Sequence, residues 1–389
     1  MRRALRLSAT EDYLFAFIDR ARARADTHQA FGAEVIPLGV GDCDLPTPPH
    51  IVDAMRQAVT DPTLHRYPPY EGTPQLRAAA SGFLRRRYGL TADPASQVLV
   101  TLGSKEAMAH LALALLDPGD VVLVPDPAYP VYATWARFCG AEVVTMPLRE
   151  ENAFLPDLAA IPPSVARRAK LLWVCYPNNP TAALATSAFY ADLAAFAHRY
   201  DITVASDAAY GELYYGAEPP PSFLQAPGAM ERGVEFHSLS KTYNMPGWRI
   251  GFAVGDACVI DALRTVKTHT DSGTFGAVQQ AAVAALEDTT GYPDHLRGVY
   301  RDRMRLLCDG LDAAGLDVLR PDATFYCLVR APAGLTGEDF AEQLLTRARV
   351  LSIPGTGFGP GGQGFVRLTV CADTPLLAEA VRRIGAVNW

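Results

Sequence analysis

One segment near the middle of the chain carries the residue types of a covalent catalytic site. It runs from His237 to Gly251, HSLSKTYNMPGWRIG, and places Lys241 after two alternate serines and before Arg249. A lysine amine is a useful nucleophile when its surroundings lower its pKa, and burial beside another cation acts in that direction. We therefore expect Lys241 to be a nucleophilic lysine whose pKa is lowered by burial and by Arg249.

Three further segments could bind charged groups. Gly103 and Ser104 lie between the run QVLVTL and an apolar helix, where backbone N–H groups attract a phosphate, although an ordinary helix N-cap explains them equally well. Asp207 ends the run ITVASD, and a carboxylate buried there needs a charged partner. Arg367 alternates with apolar neighbours in GFVRLTV, and its planar guanidinium is suited to binding a carboxylate.

Together these segments resemble the class I and II aminotransferases, which are fold-type I enzymes that depend on pyridoxal 5′-phosphate (PLP). The resemblance covers nearly the whole chain. The segments LGVGDCDLPTPPH, YPPYEG, GSKEA and KTHTDSG resemble the LL-diaminopimelate aminotransferase group in particular, with aspartate aminotransferase-like enzymes nearby. Two positions depart from the pattern: Cys43 replaces a proline, and Ala182 stands where the family usually has glycine. The resemblance implies a homodimer with shared active sites.

The resemblance also implies a role for each site residue. Lys241 would hold PLP as an imine and then act as general base and acid, Asp207 would keep the pyridine nitrogen protonated, and Tyr210 would donate to the phenolic oxygen. The other PLP-binding residues that it implies are Gly103, Ser104, Lys105, Tyr129, Asn179, Ser238, Ser240 and Arg249, with Tyr67 reaching across from the partner subunit. The implied substrate-binding residues are Gly41, Asn179 and Arg367, and no metal is expected.

The implied reaction transfers an amino group from an amino acid to a keto acid. Elimination, γ-replacement and cyclisation begin in the same way, so an enzyme similar to the 1-aminocyclopropane-carboxylate synthases is the alternative. Residues 268–282 contain no arginine, which disfavours an aspartate specialist, and the polar residues there and in Asp42–Asp44 favour a substrate with a polar or cationic distal group. A PLP-binding regulator is disfavoured, because the residues before these motifs are too few for a DNA-binding domain.

The composition narrows the remaining classes of function. The 389 residues are 49% hydrophobic and 20% charged, which is typical of a folded globular protein. A net charge of −7 argues against binding to nucleic acid. The seven cysteines are scattered and form no C-x-x-C pair, so neither a zinc site nor a disulfide framework is predicted. Without a signal-peptide pattern or a membrane-spanning apolar stretch, we expect a cytoplasmic protein with no membrane contact.

The elements that position these residues follow an α/β pattern. From about Gln97, short β-rich runs alternate with helical segments, which predicts a mostly parallel sheet between helices, with ligands at the carboxyl ends of the strands. We divide the chain into an N-terminal segment, 1–47, a large PLP-binding domain, 48–288, and a smaller α+β domain, 289–389. The N-terminal segment includes a helix in DYLFAFIDRARARA and packs on the small domain or on a partner. The boundary is expected inside a long helix near residues 277–300.

Overall fold

The structure is a computed structural model that describes residues 4–9 and 34–389, so the helix predicted in DYLFAFIDRARARA lies outside the described residues. The strands are β1 Ile36–Pro37, β2 Val98–Thr101, β3 Val121–Asp126, β4 Glu142–Pro147, β5 Ala169–Cys175, β6 Thr203–Asp207, β7 Gly233–Ser238, β8 Gly251–Gly255, β9 Val318–Leu319, β10 Tyr326–Arg330, β11 Val350–Leu351, β12 Ile353–Pro354 and β13 Phe365–Thr369. The α-helices are α1 Pro49–Ala58, α2 Pro74–Tyr88, α3 Ser104–Leu115, α4 Val131–Phe138, α5 Pro163–Ala166, α6 Ser187–Tyr200, α7 Leu239–Thr242, α8 Ala257–Thr270, α9 Gly276–Leu286, α10 Tyr292–Ala313, α11 Gly337–Arg347 and α12 Thr374–Gly385. Within these ranges, no helix combines the length and the apolar character that crossing a membrane requires.

A seven-stranded sheet forms the centre of the larger part of the molecule. Its strand order is β2-β8-β7-β6-β5-β3-β4, and every strand runs in the same direction except β8, which is antiparallel to both of its neighbours. Alternate side chains of β2 enter different cores, with Val98 and Val100 on one face and Leu99 on the other. Helices α2, α6 and α9 cover the first face, and α3, α4 and α8 cover the second. The predicted α/β fold is confirmed.

The strand directions bring the chemically active segments to one edge of this sheet. Asp207 ends β6, and Lys241 follows β7 within the short helix α7. Because β8 runs in the opposite direction, the residues before it lie at this same edge, and they include Arg249. Segments that are far apart in the sequence therefore meet where parallel strands end.

A second hydrophobic core lies around the antiparallel sheet β12-β13-β10-β9. Residues from the N-terminal side join it: Ile36 and Leu38 are buried in this core, and β1 pairs with β11. The prediction of a single long helix near the domain boundary is wrong. Helix α9 ends at Leu286, and α10 begins after Gly291, whose φ of +75° is favourable for glycine. The division of the chain at 288 and 289 stays a prediction, and it falls within this break.

Candidate active site

A cavity of about 380 Å³ opens at the edge of the sheet where β6 and β7 end. The predicted site residues that line it are Gly41, Ser104, Lys105, Tyr129, Asn179, Asp207, Tyr210, Ser238, Ser240, Lys241, Arg249 and Arg367. Gly103 lies immediately beside the cavity as the N-cap of α3. Tyr67 does not line it and is 88% exposed on the surface of the single chain.

The start of α3 is built to approach a ligand closely. Gly103 has a φ of +77°, and a Cβ atom at this position would collide with the guanidinium of Arg249. That guanidinium is held by two carbonyl oxygens, since Nη1 donates to Pro246 O at 2.9 Å and Nη2 to Leu102 O at 3.2 Å. The helix N-terminus, the guanidinium and the hydroxyls of Ser104, Ser238 and Ser240 form a donor set that suits a phosphate.

Asp207 is a buried carboxylate at the floor of the cavity, with 4% of its surface exposed. Its Oδ2 accepts a hydrogen bond from Tyr132 Oη at 2.7 Å, and its Oδ1 accepts one from the backbone N–H of Ala209 at 3.1 Å. Burial raises the pKa of Asp207 to about 6, although these hydrogen bonds lower it. Within the described residues it makes no ion pair, so its negative charge is available to a cationic ligand.

Tyr132 is a site residue that the sequence analysis missed. Its ring stacks on Trp173 with centroids 4.5 Å apart and an interplanar angle of 11°, which fixes the hydroxyl toward Asp207. The only signal in the sequence is its place three residues after Tyr129, on the first turn of α4. An aromatic residue at such a position is usually a core residue, and the contact with Asp207 depends on how α4 packs against the sheet.

Lys241 lies deep in the cavity, and its Nζ donates to Gly41 O at 3.4 Å. Burial lowers its pKa, but electrostatic interactions with Cys43, Tyr326, Cys371 and Asp42 raise it more, so that the pKa of Lys241 lies above its ordinary value of 10.5. The predicted lowering of this pKa is therefore wrong. Arg249 is occupied with backbone carbonyls instead, and groups from distant segments surround the amine.

Arg367 projects from β13 into the cavity and is 3% exposed. Its Nη1 donates to Asn179 Oδ1 at 2.7 Å and its Nη2 to Gly39 O at 2.9 Å, while its buried Nε has no hydrogen-bond partner in the described part of the chain. The guanidinium lies 3.9 Å from the centroid of the Tyr326 ring. These contacts hold the fork in place and leave capacity for a carboxylate.

Tyr326 is a second residue that the sequence analysis missed. Its hydroxyl lies 3.2 Å from that of Tyr210, and its ring supports Arg367. A Cβ atom at Gly41 would collide with the Tyr326 hydroxyl, so only glycine fits there. In the sequence, Tyr326 resembles any aromatic residue of a buried strand.

The loop after β5 positions Asn179. Its neighbour Asn178 donates to Cys175 O at 3.1 Å and accepts from the backbone N–H of Thr181 at 3.0 Å, which closes the turn and leaves Asn179 to contact the cavity. Ala182 adopts a φ of +59°, the conformation that a glycine favours. The departure noted at Ala182 therefore leaves the turn intact.

Comparisons with known proteins point in one direction. The sequence model of the family described as aminotransferase class I and II matches residues 33–384. The LL-diaminopimelate aminotransferase of Syntrophobacter fumaroxidans is 48% identical over 387 residues, which covers 100% of this chain and 99% of the relative. The substrate-bound BacF structure from Bacillus subtilis has a TM-score of 0.95 at 38% identity and covers 100% of this chain and 98% of that one. A probable N-succinyldiaminopimelate aminotransferase from Thermus thermophilus has a TM-score of 0.89 at 36% identity, with 96% and 99% covered.

Proposed function

The chain belongs to the class I and II aminotransferases, enzymes that transfer an amino group from an amino acid to a keto acid, and on this premise we propose that the cavity around Lys241 is its PLP site. The observation that supports this most is the meeting of three groups in one cavity. These groups are a half-buried lysine, a buried carboxylate without an ion pair and a buried arginine. Lys241, Asp207 and Arg367 face the same space.

The residues present fit the parts of the cofactor. The start of α3 with Ser238, Ser240 and Arg249 suits the phosphate, and Tyr129 lies where a ring would stack. The carboxylate of Asp207 suits a pyridinium nitrogen, while Tyr210 and Asn179 suit a phenolic oxygen. When bound, PLP accepts the electrons that the substrate Cα releases.

Two residues of the chain act on the substrate in this proposal. Arg367 binds the α-carboxylate in a bidentate manner, and its contacts with Asn179 and Gly39 O fix the direction of approach. Lys241 would hold the cofactor covalently, and its amine would accept and return the proton of the substrate Cα. Asp207 would hold the positive charge of the ring nitrogen.

Borohydride reduction of the PLP-loaded enzyme followed by peptide mapping tests the site. We expect a yellow protein and a single reduced adduct on Lys241, because its amine is the one that lies deep in the cavity. An adduct on Lys105, Lys170 or Lys267 would contradict the assignment.

The proposed substrate is LL-diaminopimelate or an amino acid with a similarly polar distal group. Two relatives that share most of their length with this chain carry the name LL-diaminopimelate aminotransferase, at 48% and 46% identity. The cavity lining supports the proposal, since Asp42 and Lys105 place one negative and one positive side chain at its mouth. That pair suits a distal group with both an ammonium and a carboxylate.

Product analysis across a panel of donors tests the substrate. The panel contains LL-diaminopimelate, its N-succinyl derivative, aspartate and phenylalanine, each with and without 2-oxoglutarate. We expect turnover that requires the keto acid and is fastest with LL-diaminopimelate. Faster turnover of the N-succinyl derivative would favour an acylated substrate, and keto-acid-independent loss of a γ-substituent would favour elimination or cyclisation.

A homodimer in the cytoplasm completes the proposal. Tyr67, Tyr70 and Phe275 are 88%, 42% and 41% exposed in the single chain, which supports burial of this surface against a second copy. All seven cysteines have free thiols, as is usual in a reducing compartment. Sedimentation analysis should give twice the mass of 41.9 kDa.

A further inference from the structure

A cluster of buried and half-buried charges lies behind the proposed phosphate site. Lys267 is 1% exposed, and its Nζ contacts Glu106 Oε1 at 3.2 Å and both carboxylate oxygens of Asp271 at 2.9 Å. His110 Nδ1 lies 3.0 Å from Glu106 Oε1, and Thr270 Oγ1 lies 3.0 Å from His110 Nε2. We call Lys267, Glu106, Asp271 and His110 the Lys267 cluster.

The cluster already contains its own cation. Ligand atoms of Glu106, His110 and Asp271 lie within 4.8 Å of one another, a spacing that a metal ion could also use. The ammonium of Lys267 contacts both carboxylates, so the charge is balanced by the chain itself. Despite burial, the hydrogen bond from His110 and the charge of Lys267 lower the pKa of Glu106 to about 2, which keeps it ionised.

One arm of the cluster reaches the turn that begins α3. Glu106 Oε2 accepts a hydrogen bond from the backbone N–H of Leu102 at 3.3 Å, and Leu102 O accepts from Arg249 Nη2 at 3.2 Å. Glu106 therefore holds the backbone on either side of Gly103 and Ser104. Lys267 is thus linked through Glu106 and Leu102 to Arg249, one of the proposed phosphate donors.

The other arm reaches the surface that carries Tyr67. Asp271 Oδ1 accepts from the backbone N–H of Gly273 at 2.7 Å. Gly273 packs so closely that a Cβ atom there would lie 3.2 Å from Pro68 Cγ and 3.3 Å from Pro69 O. Pro68 directly follows Tyr67, so Asp271 supports the segment that the proposed dimer presents to the partner subunit.

We propose that Lys267 is a positioning residue for the cofactor phosphate, acting on its own subunit through Glu106 and on the partner subunit through Asp271 and the Tyr67 segment. The inference rests on the proposed function. Both arms of the Lys267 cluster lead to groups proposed to bind the phosphate, so its influence is confined to ligands that carry a phosphate. Within the described residues it contacts neither Lys241 nor Asp207.

A comparison of PLP with pyridoxal, which lacks the phosphate, tests the inference. In the full-length protein, Lys267→Met and Glu106→Gln should weaken PLP binding by about tenfold or more and leave the dissociation constant of pyridoxal unchanged. Asp271→Asn should weaken PLP binding and also raise the dimer dissociation constant in sedimentation equilibrium. Absorbance titrations give the dissociation constants of PLP and of pyridoxal.

Glu212→Gln is the matched control, because Glu212 is likewise a carboxylate in an ion pair and lies outside the phosphate site. It accepts from Arg87 Nε at 2.6 Å and is buried. Equal losses for PLP and pyridoxal, or the same loss in Glu212→Gln, would overturn the inference. If Lys267→Met fails to fold, Glu106→Gln and Asp271→Asn decide the matter, since both keep the side-chain shape. Failure of the wild-type protein to bind PLP would overturn the proposed function as well.

Discussion

The Lys267 cluster and the cavity both contain buried charges, and the partners of these charges differ. In the Lys267 cluster, one ammonium contacts two carboxylates, and every charge has a counter-charge within the chain. In the cavity, as far as the described ranges extend, Asp207 accepts hydrogen bonds from Tyr132 and Ala209 and interacts electrostatically with Lys241 but makes no ion pair, and the buried Nε of Arg367 has no hydrogen-bond partner. The cluster and the cavity each have a buried charge, Lys267 and Asp207, and of these two only Lys267 is in an ion pair with a described residue.

Charges that are paired within the chain stabilise the fold, whereas buried charges without an ion pair are suited to binding a ligand. An isolated buried charge costs stability, and the surrounding structure must offset that cost. A ligand of opposite charge offsets this cost in stability when it binds. Under the proposed function, the unpaired charges of the cavity favour binding of a molecule with a cationic ring and an anionic carboxylate.

The largest effect is expected on the cavity side, for Lys241→Ala. Without the amine, the cavity loses the group proposed to carry the covalent attachment and the proton, so amino transfer should fall by about 10⁴-fold. Circular dichroism should show an unchanged fold. Lys170→Ala is the control, since Lys170 is paired with Asp120 at the opposite edge of the sheet and should retain wild-type activity. A Lys241→Ala variant with substantial turnover would place the chemistry elsewhere.

Removal of a charge should have opposite effects on stability in the two regions. Lys267→Met leaves two half-buried carboxylates without their buried cation and should lower the free energy of unfolding by about 3 kcal/mol. Asp207→Asn removes an uncompensated charge and should raise the free energy of unfolding. Urea unfolding in the absence of cofactor measures both. Destabilisation of similar size in the two variants would show that the charges of the two regions do not differ in their effect on stability.

Asp207 and Glu106 should change the stability of the fold in opposite directions as the pH rises. The pKa of Asp207 is raised to about 6 from 3.8, so the folded state holds the extra proton and this group lowers stability as pH rises from about 4 to 6, by about 3 kcal/mol. The pKa of Glu106 is lowered to about 2 from 4.5, so its contribution of about 3 kcal/mol is lost as pH falls through that range. Urea midpoints measured from pH 3 to 7 in wild type, Asp207→Asn and Glu106→Gln separate the two slopes. If the change of the urea midpoint with pH is the same in a variant as in wild type, a group other than the replaced carboxylate causes that pH dependence.

The smallest effect concerns Tyr132, whose hydroxyl stabilises the ionised form of Asp207. Tyr132→Phe removes that hydrogen bond and should raise the pKa of Asp207 further, a loss of about 1.5 kcal/mol or more for the carboxylate form. The midpoint of the stability profile assigned to Asp207 should move to higher pH. Tyr190→Phe, at another buried tyrosine, should leave the midpoint in place.

Residues at the ends of parallel strands were predictable from the sequence, and residues that support them were not. Asp207 and Lys241 follow recognisable strands, and such strand ends meet at one edge of a sheet. Tyr132 and Tyr326 have the sequence pattern of ordinary core aromatics, and their contacts depend on packing between distant segments. The pKa of Lys241 was wrongly predicted for the same reason, because Cys43 and Tyr326 come from opposite ends of the chain.

The reversed strand β8 determines when the site can assemble as the chain folds. It lies between β2 and β7, and Gly251 packs directly against the turn at Gly103 and Ser104. Strand β2 therefore joins the sheet only through a partner about 150 residues later in the chain, a contact whose loop-closure entropy makes it slow to form. During synthesis, we expect the turn at Gly103 and the lysine segment to stay apart until residues 251–255 have been added. Under the proposed function, a growing chain would then bind the cofactor only after most of the large sheet exists.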